Sequence, residues 1–139
     1  MESTLKEKLV GLDMLVSGLM GGLSVHLHPI SGPVAVVQVS IGTREELPIF
    51  ITCSDSQILC MCYLWTDAEV VPSRRTELLE TLLDLNPSVP LSSFGRIADR
   101  YVLFGALARD ARSEDIAQDI AALSDNALDA LDALSEFLQ

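Results

Sequence analysis

Two histidines and two cysteines are the side chains best equipped for metal chemistry. His26 and His28 stand two apart, and so do Cys60 and Cys62. Residues two apart on a strand share a face, so each pair would present both ligands in one direction. Two imidazoles and two thiolates make a tetrahedral zinc set. The spacing argues against it. Structural zinc sites favour Cys-x2–4-Cys turns that present the sulfurs on a knuckle, whereas these cysteines lie in an apolar run, where cysteine behaves as a small hydrophobe. A metal protein or small enzyme built on His26/His28 and Cys60/Cys62 is therefore the alternative reading.

Other catalytic patterns are weaker. Ser31-Gly32-Pro33 and the serines flanking Asp55 lie in turn-rich segments, with no Gly-x-Ser-x-Gly elbow and no histidine placed as a base. Glu45-Glu46 sits in a polar turn where nothing raises a carboxyl pKa towards that of a general acid. Neither a phosphate-cradling Walker loop nor a dinucleotide fingerprint occurs. Arg74-Arg75 and the Arg96/Arg100 turn could take an anion, but arginines near a helix start are commonly solvated or ion-paired. The expectation is a non-enzyme with no cofactor.

Leu47–Trp65 organises the rest. Pro48–Cys53 is rich in β-branched and aromatic residues and predicts a strand. Ser54-Asp55-Ser56-Gln57 predicts a turn held by short side chains. Ile58–Trp65 is apolar at almost every position. Alternation places Ile58, Cys60, Cys62 and Leu64 on one face, and Leu59, Met61, Tyr63 and Trp65 on the other. Both faces are greasy, so the strand is either covered on both sides or has one side awaiting a partner. Met14, Met20, Met61, Trp65 and Phe104 could line a groove or could be plain core.

The flanking segments supply the cover. Thr4 and Glu7 are spaced as a capping box. Leu5, Leu9, Leu12, Val16 and Leu19 then form a helical stripe ended by Gly21-Gly22. Leu23–His28 and Val34–Ile41 predict strands. Thr76–Leu85 predicts a helix with Leu78, Leu79, Leu82 and Leu83 inward. Leu91–Arg96 and Tyr101–Ala108 predict a hairpin, with Gly95 and Gly105 marking bulges or close backbone approach. From Ser113 a long helix runs with Ile116, Ile120, Leu123, Ala127, Leu131, Leu134 and Leu138 as its apolar stripe. The order is α-β-β-β-α-β-β-α. A single α+β domain over residues 1–139 follows, with an antiparallel sheet of about five strands and helices mainly on one side.

Charge narrows the partners. The net charge is −11 and the pI about 4.3. Residues 113–139 carry seven acids and no base. Such a chain repels nucleic acid and anionic lipid. Asp125, Asp129, Asp132 and Glu136 fall opposite the apolar stripe, as contacts for a basic partner or simply as a solvated face. No apolar stretch is long enough to span a bilayer, no signal peptide is visible, and three cysteines at no framework spacing suit a reducing cytoplasm.

Three segments together carry a resemblance: LPIFITCSDSQILCMCYLW (47–65), PLSSFGR…DRYVLFGALA (90–108) and DIAQDIAALSDNALDALDAL (115–134). They resemble a small bacterial family of uncharacterised proteins, often encoded beside proteins similar to phage-shock-protein A, which remodel membranes under envelope stress. The resemblance covers the last two-thirds of the chain and carries over no catalytic or ligand residue. The element order also resembles the type III secretion chaperone fold, whose small, acidic, usually dimeric members hold a partner segment on an apolar surface. The resemblance implies a cytoplasmic, homodimeric adaptor that masks an apolar or basic amphipathic segment of a protein partner, such as a coiled-coil protein similar to phage-shock-protein A. A regulatory subunit acting through its dimer surface is a further reading. The contacts expected are Leu59, Met61, Tyr63 and Trp65, with Asp125, Asp129, Asp132 and Glu136.

Overall fold

The computed structural model describes residues 2–139, with side chains from Leu5 onward. Two short helices, α1 (Glu2–Leu9) and α2 (Leu12–Leu19), open the chain. Four strands follow: β1 (Val25–Ile30), β2 (Val36–Ile41), β3 (Ile49–Cys53) and β4 (Ile58–Thr66). Helix α3 (Arg75–Leu85) precedes a hairpin of β5 (Ser93–Ile97) and β6 (Arg100–Leu107), and α4 (Ser113–Ala133) closes the domain. The sheet runs β1-β2-β3-β4-β6-β5, and every pairing is antiparallel. The α+β class and the antiparallel sheet match the sequence expectation. The strands number six rather than about five, with four before α3.

The expected first helix is broken in two. Gly11 takes φ +76°, a left-handed conformation that glycine adopts at no steric cost. The stripe survives at Leu5, Leu12 and Val16, which are buried, whereas Leu19 is exposed. Helix α1 begins at Glu2, upstream of the expected cap at Thr4, whose side chain lies outside the described residues. Gly21 and Gly22 have positive φ, and Gly22 donates its N–H back to the Ser17 carbonyl, ending α2 as expected.

One core lies between the helices and one face of the sheet. Leu12 and Val16 of α2, Leu78 and Leu82 of α3, and Ile116, Ile120, Leu123 and Ala127 of α4 pack with Val39, Ile49, Ile58, Cys60, Cys62 and Leu103. Leu83 does not turn inward as expected; it is exposed, because α3 buries only the narrow stripe of Leu78 and Leu82. The turn joining β3 to β4 forms as its serines predict: Ser54 Oγ accepts the N–H groups of Ser56 and Gln57.

Candidate functional site

Register and alternation define the second face of the sheet. One cross-strand row runs His28, Gln38, Phe50, Met61, Phe104, Ser93 over all six strands. Beside it run Ile30, Val36, Thr52, Leu59 and Ala106. A shallow depression is lined by Thr52 and the apolar Ile30, Val36, Phe50, Leu59, Met61, Tyr63 and Ile97, and by no helical residue among those described. An antiparallel sheet with one solvated face ordinarily turns polar residues to that side. Here the middle of the solvated side is apolar. Phe50 and Tyr63 meet edge to face with centroids 5.8 Å apart, and the Arg100 guanidinium lies 5.1 Å from the centre of the Tyr63 ring. The aromatic pair and its arginine thus form a polarised end to an otherwise oily surface.

Leu59, Met61 and Tyr63 share this face, but Trp65 does not. The pairing of β4 with β6 shifts between Tyr63 and Trp65. Such a bulge adds one residue, Leu64, and sends the side chains beyond it to the opposite face. Trp65 is therefore only 3% exposed and stacks on Tyr101, with ring centroids 5.6 Å apart. Tyr63 is 37% exposed. Strict alternation from sequence misplaced Trp65 for that reason.

Asp125, Asp129, Asp132 and Glu136 are exposed as expected, away from the sheet. They cannot share one short ligand with Leu59, Met61 and Tyr63, since the core and the sheet lie between the two sets. Two of them are also internally paired. Arg44 donates to Asp125 at 2.7 Å, and Arg74 pairs with Glu136 at 3.2 Å. Asp129 and Asp132 have no cationic partner within 4.0 Å among the described residues. Glu136 lies beyond the helix, in a 3-10 turn over Ser135–Phe137.

The four-ligand metal arrangement does not form. His26 and His28 are exposed on the open face of β1, their rings 6.3 Å apart. Cys60 and Cys62 point into the core from β4, three strands away. Burial pushes the Cys62 thiol up to about 12. Burial, then the neighbouring Asp119 carboxyl, pushes the Cys60 thiol up. Both are held as neutral thiols at physiological pH, the form that neither attacks nor ligates. Among the described residues no group of three or more histidines, cysteines or acids converges on a metal position.

Sequence reasoning missed Asp119. It lies on α4 three residues after Ile116 and four before Leu123, at a position of the buried stripe, and is 5% exposed. Its spacing was the available signal. The carboxyl sits over Gly105 of β6, where a Cβ would collide with it. That confirms the close approach expected at Gly105. Burial raises its pKa to about 6, partly offset by the hydrogen bond from Cys60, and its Oδ2 has no partner among the described residues. At the far end of the sheet, Asp67 accepts the Tyr101 hydroxyl at 2.7 Å and pairs with Arg75 and Arg96. The Tyr101 hydrogen bond first, then the two arginines, hold Asp67 below the usual carboxylate range. The arginines considered as anion ligands are thus mostly ion-paired, Arg74 with Glu77 and Glu136, and Arg75 and Arg96 with Asp67.

A family model described as "Uncharacterized protein conserved in bacteria (DUF2170)" matches residues 5–138. The match takes in the N-terminal helices as well as the last two-thirds of the chain. No curated protein matches in sequence. Among solved structures, the fold is similar to that of YbjN from E. coli, described as "a putative transcription regulator". The TM-score is 0.59 at 17% identity, covering 100% of this chain and 96% of that one. No helix among the described residues is long and apolar enough to cross a membrane.

Proposed function

The chain belongs to the bacterial family DUF2170, and on that premise we propose that it is a non-enzymatic binding module that shields an apolar segment of a partner protein on its open sheet face. The observation that carries this reading is the apolar centre of the open sheet face, where Phe50, Leu59 and Met61 are half-buried and Tyr63, Ile30 and Ile97 are exposed. Covering these side chains would remove further apolar surface from water, worth about 25 cal/mol per Å² before the cost of association is met. A contiguous apolar patch on a solvated face is the usual mark of an interaction surface. The likeness in fold to YbjN, described as "a putative transcription regulator", agrees with a binding role, although fold alone does not fix function.

A cytoplasmic coiled-coil protein similar to phage-shock-protein A is the partner favoured by the family resemblance. Its long helices would offer the apolar stripe that this face can cover. Homodimer formation is a separate part of the proposal. It is supported by Val10, Met14, Leu15 and Leu19, which are exposed around α2 on the helix side of the molecule. The two surfaces are distinct, so a dimer need not block the sheet face.

Affinity purification of the tagged full-length chain with mass spectrometry tests the reading, run beside Met61→Asp and Tyr63→Asp. A partner held by the wild type and lost from both folded variants supports it. Unchanged capture by both variants removes the sheet face from the proposal.

A further inference from the structure

Resting on the reading of the sheet face as a protein-binding surface, we infer that its occupant is an apolar segment bearing carboxylates. The chain holds 20 acidic residues and nine basic ones. None of the acids occupies a strand position on the open face, by the register of all six strands. The ionisable side chains there are His26, His28 and Arg100. A solvated sheet surface in so acidic a chain would ordinarily carry some of its carboxylates, and this one excludes them.

Arg100 sharpens the argument. Arg44, Arg74, Arg75, Arg96 and Arg112 each have a carboxylate within 4.0 Å. Arg100 and Arg109 have none among the described residues, and of the two it is Arg100 that lies on the open face, exposed over the ring of Tyr63. A guanidinium in that position offers a planar fork to an arriving carboxylate. A second copy of this face would bring no acid to meet it, and covering an unpaired guanidinium is costly. The geometry therefore favours a different protein over self-association at this surface. Six strands at about 4.8 Å spacing give a sheet about 24 Å wide, so a helix of about 16 residues would cross the apolar middle and reach the polar strands on either side.

The test is a random 16-residue peptide display selection on the full-length wild-type chain, counter-selected on folded Met61→Asp, with Tyr63→Asp as a second face variant. The expected result is that clones lost on both variants are enriched in Asp and Glu over Lys and Arg. Arg100→Glu should then weaken these clones by about three- to tenfold, whereas Arg109→Glu, placed beyond β6 beside the β3–β4 turn, leaves them unchanged. Face-dependent clones that are basic, or that ignore Arg100→Glu, would overturn the inference and leave the binding reading intact. If no clone survives the counter-selection, every wild-type binder holding folded Met61→Asp equally well, both the inference and the binding reading are overturned.

Discussion

At the scale of single residues, the buried carboxyl of Asp119 is held well above its ordinary pKa by desolvation. Its folded-state pKa of about 6 exceeds the ordinary value of 3.8. An acid whose pKa rises on folding binds its proton more tightly in the native state. Stability attributable to it is therefore present below about pH 4 and is lost as pH rises through 6. Asp119→Asn should stabilise the protein by about 1–3 kcal/mol at pH 7.5. The advantage should vanish by pH 4, as read by urea unfolding at both pH values. An equal advantage at both would contradict the assignment. Gly105 is the partner of this arrangement. Gly105→Ala should cost about 2 kcal/mol or more because its methyl meets the Asp119 carboxyl. Combining it with Asp119→Ala should recover part of that loss in a double-mutant cycle.

At the scale of elements, the hairpin, the turn chemistry of Ser54 and the long amphipathic α4 were legible because each is encoded by local spacing. The elements misread are those where one residue changes the geometry. Gly11 breaks a helix whose hydrophobic stripe reads as continuous. Leu64 inserts a bulge that periodicity cannot show, and it decides which of two neighbouring aromatics belongs to the core. Trp65→Ala should therefore cost about 3–5 kcal/mol, as a buried large-to-small change does. Tyr63→Ala should cost less, about 1–2 kcal/mol, since Tyr63 is 37% exposed. Chemical denaturation of the two variants checks the bulge; equal losses would contradict it. The apolar Leu59–Met61–Tyr63 face was readable from the strand. Its openness was not, because that depends on where every helix packs.

At the scale of the whole molecule, charge and oil are segregated. The helix side carries the free acids Asp129 and Asp132, and the open sheet face carries apolar side chains with Arg100 and the histidine pair. The sheet strand and the acidic helix, both expected as contacts, therefore lie on different sides of the molecule. Converting both Asp129 and Asp132 to Lys should leave binding at the sheet face within about twofold, with the added charges lying outside screening distance. Titration calorimetry with a selected peptide reads that outcome, and a larger loss would restore the acidic helix to the site.

Methionine-methyl NMR of the full-length chain tests the central claim most directly, because Met61 and Met14 report on opposite sides of the molecule. On titration with a partner identified by affinity purification, the Met61 methyl should shift or broaden while Met14 stays in place. A shift at Met14 with Met61 unmoved would place the interaction on the helix side and contradict the account.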